Sequence, residues 1–257
     1  MPKYFDIHSH LNFKDFEGDL DAVIQRLRDT ETHTIVVGTD YESSKQAVEL
    51  AEKYDEIYAS IGVHPVDNPI RVFNDEGFKE LMKSKRVVAI GECGFDFFHA
   101  KREDDYERQE KLFDAQIEFA IDHNKPLMIH SRGAYQELLD KLEGLKEIHG
   151  EKLRGDIHFF AGTLDEAKRF WAIGFSTSFT GVITFARDYD EVIKNAPLEM
   201  LMSETDSPYV APFPHRGKRN EPSYVSEVVK KIAEIRGEDV ETIRAALVAN
   251  AKRIFNI

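Results

Sequence analysis

A (β/α)8 barrel of the TIM type, an α/β fold, is what the sequence predicts, and three observations lead to it. Short apolar runs, rich in β-branched residues, recur along the chain and are nearly continuous in apolar character, as strands buried on both faces are. A longer amphipathic stretch follows each run, and no Ser- or Pro-rich linker interrupts the series. The chain has 257 residues, close to the roughly 250 that such a barrel uses as one domain. We therefore predict one domain over residues 1–257, with an open doubly wound sheet as the alternative fold.

The predicted elements follow one another as strand and helix. Eight strands are predicted at residues 4–8, 34–38, 57–62, 87–92, 126–130, 156–160, 174–179 and 199–204. Helices are predicted at 19–29, 43–53, 75–83, 103–122, 134–147, 164–171, 189–194, 223–236 and 240–253. The last helices lie beyond the eighth strand and are extra C-terminal helices of the barrel. The segment 208–222 carries four of the nine prolines, and we interpret it as a functional loop after the eighth strand.

Composition limits the class of protein. Hydrophobic residues make up 42% of the chain and charged residues 32%, which is typical of a globular protein. The formal net charge is −13. Such a chain does not coat DNA non-specifically, because that binding needs basic groups at many phosphates. An anionic substrate must therefore be held by local positive charge, from a bound metal, a basic loop or both.

Cysteine content and the N-terminus bear on location. Cys93 is the only cysteine, so no internal disulfide forms, which fits a reducing compartment. The first residues lack the basic and apolar regions of a secretory signal. No stretch approaches the roughly 20 apolar residues of a membrane helix. We expect a cytoplasmic protein with no membrane partner, and the sequence indicates no obligate protein partner.

Residues able to bind metal ions recur near the predicted ends of the strands. His8 and His10 are two residues apart at the end of the first strand, so both imidazoles face the same side. The other candidates lie near the ends of strands four, five, six and eight, and they are Glu92, His130, His158 and Asp206. The carboxyl ends of barrel strands are where active sites of this fold are built. The joint pattern predicts a metal site, and four histidines with two carboxylates suffice for two divalent ions.

The remaining histidines and the cysteine receive no such role. Four histidines lie in predicted helices or their flanking loops among charged residues, and we interpret them as solvated surface residues: His33, His99, His123 and His149. Cys93 adjoins Glu92 and is predicted to be a buried, inert thiol.

Six short segments of the chain resemble the sequence motifs of a known family. The segments that carry the resemblance are Asp6-x-His8-x-His10, Gly62-Val63-His64-Pro65, Gly91-Glu92-Cys93-Gly94-Phe95-Asp96, His130-Ser131-Arg132, His158-x-Phe160-x-Gly162 and Glu204-Thr205-Asp206-Ser207-Pro208. This set resembles the motifs of the TatD family of metal-dependent deoxyribonucleases, within the amidohydrolase superfamily. The stretch 203–225 is an especially close match, and the motifs span nearly the whole chain. Phe95 and Phe97-Phe98 stand where leucine and tyrosines are common in the family.

The resemblance implies a distorted (β/α)8 barrel, a divalent metal site and phosphodiester hydrolysis. It implies that His8, His10, Glu92 and Asp206 hold one ion. It also implies that Glu92, His130 and His158 hold a second ion, with Glu92 bridging the two. Mixed imidazole and carboxylate ligands suit Zn, Mn, Co, Ni or Fe(II), whereas the family favours Mg or Mn. The expected cofactor is therefore two divalent ions whose identity the sequence leaves open.

Roles for individual side chains follow from the needs of phosphodiester hydrolysis. Asp206 is the group predicted to orient or deprotonate the attacking water, and Glu92 is the second catalytic candidate. Glu204 is predicted to support the loop. The candidates for contact with substrate phosphates are His64, Arg132, His215, Arg216, Lys218 and Arg219. The aromatic residues that either stack on bases or pack in the core are Phe97, Phe98, Phe160 and Tyr209.

Three functions remain open at this stage. The first is an exonuclease-like deoxyribonuclease that uses metal-activated water on single-stranded or frayed DNA ends. The second is a small-molecule amidohydrolase or lactonase with the same binuclear site. The third is a non-enzymatic module that binds metal or nucleic acid. The basic loop and the aromatic residues favour the first, whereas the net charge mildly favours the second.

Overall fold

The computed structural model describes residues 2–66, 73 and 75–257 and contains eight parallel strands that pair in chain order. The strands are β1 (Tyr4–Ser9), β2 (Thr32–Val37), β3 (Ile57–Ile61), β4 (Val87–Asp96), β5 (Leu127–Arg132), β6 (Gly155–Ile157), β7 (Phe175–Phe179) and β8 (Leu201–Ser203). Each strand is hydrogen-bonded in parallel to the next. The predicted barrel is confirmed, and the open doubly wound sheet, which would have a different strand order, is excluded.

Helices connect the strands along the outside of the sheet. They are α1 (Leu20–Asp29), α2 (Tyr41–Lys53), α3 (Asp75–Leu81), α4 (Arg102–Asp122), α5 (Tyr135–His149), α6 (Leu164–Ala172), α7 (Asp190–Asn195), α8 (Val225–Arg236) and α9 (Val240–Phe255). Capping boxes stabilise the starts of α2, where Asp40 is the cap, and of α6, where Thr163 is the cap. The extra C-terminal helices, α8 and α9, are present as predicted.

The seam between the first and last strands is nearly closed. An isolated parallel bridge joins Ser9 to Ser207. The backbone N–H of Asp206 donates to the carbonyl of His8 at 2.9 Å, and the N–H of His10 donates to the carbonyl of Ser207 at 2.8 Å. The last helix, α9, packs against both β1 and β8. The seam therefore places Asp206 beside the two histidines of the first strand.

Within the part of the chain that the structure describes, the hydrophobic core consists of two clusters of buried side chains. A large cluster joins apolar side chains of the strands to those of the surrounding helices. A smaller one gathers strand residues such as Phe5, Ile35 and Met202 with Val248 and Phe255 of α9. Cys93 is fully buried as predicted, and burial raises the pKa of its thiol well above the usual value.

Three strands differ from their predicted lengths by two residues or more. β4 runs four residues further, to Asp96, because the segment after Glu92 continues to pair with β5. β6 and β8 have only three residues each, so His158 and Asp206 lie in the loops that follow them. Among the described residues no helix is long and apolar enough to cross a membrane. The single domain over residues 1–257 stays a prediction.

Candidate metal centre

Four side-chain atoms converge where β1, β4 and β8 end or bend. Nε2 of His8 lies 3.2 Å from Nε2 of His10 and 3.5 Å from Oε2 of Glu92. Oδ1 of Asp206 lies 3.5 Å from Nε2 of His10 and 3.9 Å from Nε2 of His8. All four side chains are nearly buried. The structure therefore brings together two imidazoles and two carboxylates that lie far apart in the sequence.

The second oxygen of Glu92 faces a different group of histidines. Oε1 lies 2.9 Å from Nδ1 of His130 and 3.6 Å from Nε2 of His158. It also lies 3.6 Å from Nε2 of His64, which the geometry adds to the candidate ligands. One carboxylate thus contacts two clusters of imidazoles, one through each oxygen.

Two irregularities in the sheet aim these side chains. From Asp6 to Ser9, β1 advances three residues while its partner β2 advances two. From Ile90 to Cys93, β4 likewise advances three residues while β5 advances two. Each is one extra residue, a bulge, and bulges re-aim side chains beside functional sites. His8 lies in the first bulge and Glu92 in the second. Gly94 permits close contact with β5, because its φ is +132° and an added Cβ would lie 2.1 Å from the carbonyl oxygen of His130.

Three histidines of the cluster, His10, His130 and His158, each contact a partner through the other ring nitrogen. Nδ1 of His10 is 3.0 Å from the carbonyl of Val37. Nε2 of His130 is 3.1 Å from Asp96, and Nδ1 of His158 is 2.8 Å from Glu204. Metal-binding histidines usually donate their second ring N–H to a carboxylate or a carbonyl, which fixes the tautomer and orients the ring. Glu204, predicted to support the loop, in fact accepts from His158 and from the N–H of Phe159.

The charges of the cluster stabilise one another. Burial raises the pKa of Glu92, but the surrounding imidazoles of His64, His130 and His8 outweigh it and hold that pKa well below the usual range. Burial lowers the pKa of His130, yet hydrogen bonds with Asp96 and Glu92 raise it to about 9. For His158, the carboxylate of Glu204 likewise outweighs burial and raises the pKa to about 10. Positively charged imidazoles and negatively charged carboxylates are thus buried side by side. This is expected of a site where a divalent ion displaces the imidazole protons when it binds.

The donor set fits divalent ions. Neighbouring ligands of an ion bound at about 2.1 Å stand roughly 3.0 to 3.4 Å apart in octahedral or tetrahedral sites. The contacts among His8, His10, Glu92 and Asp206 run from 3.2 to 3.9 Å, close to that spacing. Imidazole with carboxylate is a donor set for Mn, Fe, Co, Ni or Zn.

All residues of the cluster except His8 line a cavity of about 1110 Å³. Its wall includes three basic side chains, Lys101, Arg108 and Arg132. Asp105 holds Arg108 at 2.6 Å, whereas Lys101 and Arg132 form no ion pair with any residue in the described ranges. The guanidinium of Arg132 lies 4.0 Å from the ring centroid of Phe98, an exposed residue. No pattern around Lys101 or Arg108 in the sequence distinguished them from ordinary surface residues.

The predicted phosphate contacts divide into two sets. His64 and Arg132 line the cavity, while the four candidates from the loop after β8, His215, Arg216, Lys218 and Arg219, are outside its lining. Both terminal nitrogens of the Arg219 guanidinium donate to Asp19 at 2.7 Å, and the group lies over the ring of Phe16. Arg219 therefore attaches the loop after β8 to the segment before α1. His215 stacks on Tyr224 at 3.7 Å.

The structure bears on two assignments of individual residues. Phe160, for which base stacking and core packing were both open, is 1% exposed and packs in the core. His99 is exposed, as predicted for a surface residue, but it also lines the cavity and contacts Asp96 at 2.8 Å.

The other histidines and aromatic residues need smaller corrections. His33 lies in β2 and is half-buried. The ring of His123 packs 4.1 Å from that of Phe119, and His149 is the last residue of α5. Phe97 is partly buried against the core, whereas Tyr209 is exposed at the cavity.

A TIM-like barrel with histidines and carboxylates gathered at the carboxyl ends of its strands is an architecture of metal-dependent hydrolases. The chain belongs to the TatD related DNase family, whose model matches residues 5–256. It is 40% identical over 257 residues to the uncharacterized metal-dependent hydrolase YabD of Bacillus subtilis, covering 98% of this chain and 99% of that one. It is 34% identical over 263 residues to the 3'-5' ssDNA/RNA exonuclease TatD of Escherichia coli, covering 98% and 99%.

A solved structure shows the same arrangement of the chain. The crystal structure of YJJV, a TatD homolog from Escherichia coli, superposes with a TM-score of 0.90 at 30% identity, covering 99% of this chain and 98% of that one. The chain is therefore an enzyme, a metal-dependent hydrolase of the TatD type.

Proposed function

We propose that this enzyme hydrolyses phosphodiester bonds at the ends of single-stranded or frayed DNA, using two divalent ions. The observation that carries the proposal is the position of Glu92, whose two oxygens contact separate groups of imidazoles. A carboxylate between two donor clusters suits a pair of ions, which together can hold the attacking and leaving oxygens of a phosphoryl centre. The Escherichia coli relative named as a 3'-5' ssDNA/RNA exonuclease supports the substrate class.

The proposed ligands follow the two clusters. His8, His10, Glu92 and Asp206 would hold one ion, and Glu92, His130 and His158 the other, with His64 at the edge of the second set. When bound, such ions supply an acidified water as nucleophile and positive charge for the phosphate oxygens. Mg, Mn, Zn, Ni and Co remain the candidates for these positions.

Asp206 is the group that we propose to take the proton from the attacking water. Burial raises its pKa, but the hydrogen bond with His10 and the nearby imidazoles outweigh this and hold the pKa below the usual value. Its carboxylate is therefore ionised at neutral pH and able to accept a proton. Its exposure is greater than that of His8 or His10, which leaves an oxygen accessible from the cavity.

Basic side chains of the wall, together with Tyr209 in the wall and Phe98 beside Arg132, would position the substrate. Arg132, Lys101 and His64 lie where a phosphate next to the scissile bond would pass. Phe98 and Tyr209 are 68% and 53% exposed, so their rings are available for stacking on bases. A cavity of this kind admits a strand end more easily than an intact duplex, whose bases are paired.

Digestion of a labelled linear oligonucleotide beside a covalently closed single-stranded circle tests the proposal. With Mn²⁺ or Mg²⁺ we expect short products from the linear strand and little cleavage of the circle. Equal rates on both would contradict action from an end. Hydrolysis of lactones or cyclic amides, with the oligonucleotide left intact, would instead support the small-molecule alternative.

A further inference from the structure

A cationic aromatic surface lies outside the cavity and is not used by the site described above. It consists of Phe185, Phe213 and Arg216, here called the outer platform. Phe185 and Phe213 are 36% and 55% exposed, and their rings meet edge to face with centroids 6.4 Å apart. The guanidinium carbon of Arg216 lies 3.5 Å from the ring centroid of Phe185. Two rings and a planar cation thus form one exposed surface.

The outer platform is joined to the cavity wall by packed backbone. Val210 lines the cavity, and Phe213 follows it by three residues, so at most about 11 Å of chain separates them. The N–H of Phe213 donates to Oγ1 of Thr184, the residue before Phe185, at 3.0 Å. A Cβ added to Gly181 would lie 2.5 Å from the carbonyl oxygen of Val210, which shows how closely the two loops pack. The platform is therefore held in place by the same loops that form the cavity edge.

The loop that carries Phe213 and Arg216 has a charge opposite to that of the whole molecule. The chain has a net charge of −13, yet residues 210–220 contain no Asp or Glu. Arg216 and Lys218 are exposed, and neither forms an ion pair within 2–66, 73 and 75–257. A local excess of positive charge beside exposed rings is complementary to a polyanion that carries flat, apolar groups.

We propose that the outer platform binds the bases and phosphates of a single-stranded nucleic acid whose end occupies the cavity, just beyond the nucleotides that lie within it. The proposal rests on the proposed function, since it assumes that the strand end occupies the cavity. Stacked nucleotides advance about 3.4 Å each, so Phe213 lies no more than about three nucleotides beyond Val210 at the cavity edge. Unpaired bases expose their faces, and every base can stack on a ring, so this surface would favour longer single strands without selecting a sequence.

The test compares oligothymidylates of two and twelve nucleotides. Affinity is measured by fluorescence anisotropy of end-labelled strands in EDTA, where cleavage does not occur, and KM is measured with Mn²⁺. For Phe213→Ala we expect the affinity for the twelve-mer to fall about fivefold or more, as expected for the loss of one base–aromatic stack. The dinucleotide, which does not reach the platform, and a chromogenic phosphodiester should be unaffected. Phe213→Leu should behave like Phe213→Ala, because it keeps apolar area without a ring, and Phe213→Tyr should behave like the parent.

Ile148→Ala is the matched control, because it removes another exposed apolar side chain, 73% exposed on α5, and should change neither substrate. Equal affinity of the parent and Phe213→Ala for the twelve-mer would overturn the platform, even if cleavage is normal. A parent protein that binds the twelve-mer through Phe213 but never cleaves it would overturn the proposed function and leave the platform supported. Loss of affinity for both lengths alike would show that Phe213 acts by shaping the loop, which also overturns the platform.

Discussion

Glu204 accepts a hydrogen bond from Nδ1 of His158 at 2.8 Å, and the opposite nitrogen of that ring, Nε2, lies 3.6 Å from Glu92. Glu204 is fully buried, and its other oxygen accepts the N–H of Phe159 at 2.6 Å. The carboxylate therefore fixes both the ring and the backbone that carries it. His158 lies in a loop, after the short strand β6, so this contact replaces the support that a longer strand would give.

Replacing Glu204 with Gln should weaken metal binding without removing a ligand. The neutral amide no longer favours the N–H at Nδ1 or pairs with the positive charge near His158. Loss of such an orienting partner typically costs about 10- to 100-fold in metal affinity. Titration of EDTA-treated protein with Mn²⁺ measures this change. Glu147→Gln, an exposed acid on α5, should bind like the parent, and unchanged affinity in Glu204→Gln would remove the positioning role.

Asp206→Asn should lose turnover more than it loses metal. Three of the four donors of its cluster remain, whereas the amide cannot accept a proton, and loss of a general base costs roughly 10²- to 10⁴-fold in rate. The measurement is kcat on a linear oligonucleotide together with bound metal per chain. His33 and His149 lie away from the cavity lining, so His33→Gln and His149→Gln serve as controls. Parental turnover in Asp206→Asn would show that another group takes the proton.

The metal-free protein should lose stability as pH rises. The pKa values of His130 and His158 are raised from 6.5 to about 9 and about 10 by their carboxylate partners. Their contribution to the free energy of unfolding is therefore complete below pH 6.5 and is lost between 6.5 and about 10. Thermal denaturation in EDTA across that range should show a falling Tm. Saturating Mn²⁺ should reverse the trend, because the ion binds neutral imidazole and competes with protons. A Tm in EDTA that does not change with pH would contradict the charged pairs that His130 and His158 form with their carboxylates.

Two arginines should separate substrate contact from loop attachment. Arg132→Ala should raise KM for an oligonucleotide, since this side chain lines the cavity without an ion pair among the described residues. Arg219→Ala should leave KM unchanged and lower the free energy of unfolding by up to about 1 kcal/mol, as expected for a partly exposed ion pair. Asp19→Asn should have the same effect on stability, and the double variant should add little to it. If Arg219→Ala alone raises KM, Arg219 contacts the substrate after all.

The sequence predicted the barrel and the cluster because both depend on strand order. Parallel strands in chain order bring all carboxyl ends to one face, so His8, His130 and Asp206 had to approach one another once eight strands were recognised. The bulges at His8 and Glu92 could not be predicted, because a single extra residue in a strand leaves no periodic signal. The same limit hid Asp96, whose place at the end of an extended β4 sets its contact with His130.

Long side chains were harder to assign than strand positions. The spacing of Arg216, Lys218 and Arg219 marked a basic loop, but the partners of Arg216 and Arg219 lie in other segments of the chain. Asp19 holds Arg219 from 200 residues away, and Phe185 holds Arg216 from the loop after β7. Contacts of that kind depend on tertiary packing, so the loop was located correctly while the direction of each side chain was not.

The proposal that Glu92 is shared by two ions is tested most directly by metal-dependent digestion of a labelled single-stranded oligonucleotide. The parent should be inactive after EDTA treatment and should regain activity on addition of Mn²⁺. Glu92→Gln should remain inactive and bind less metal at both clusters, because it removes the charge that the two share. Cleavage that persists in EDTA, or a Glu92→Gln protein that keeps its full metal content and rate, would contradict a shared carboxylate at the centre of the site.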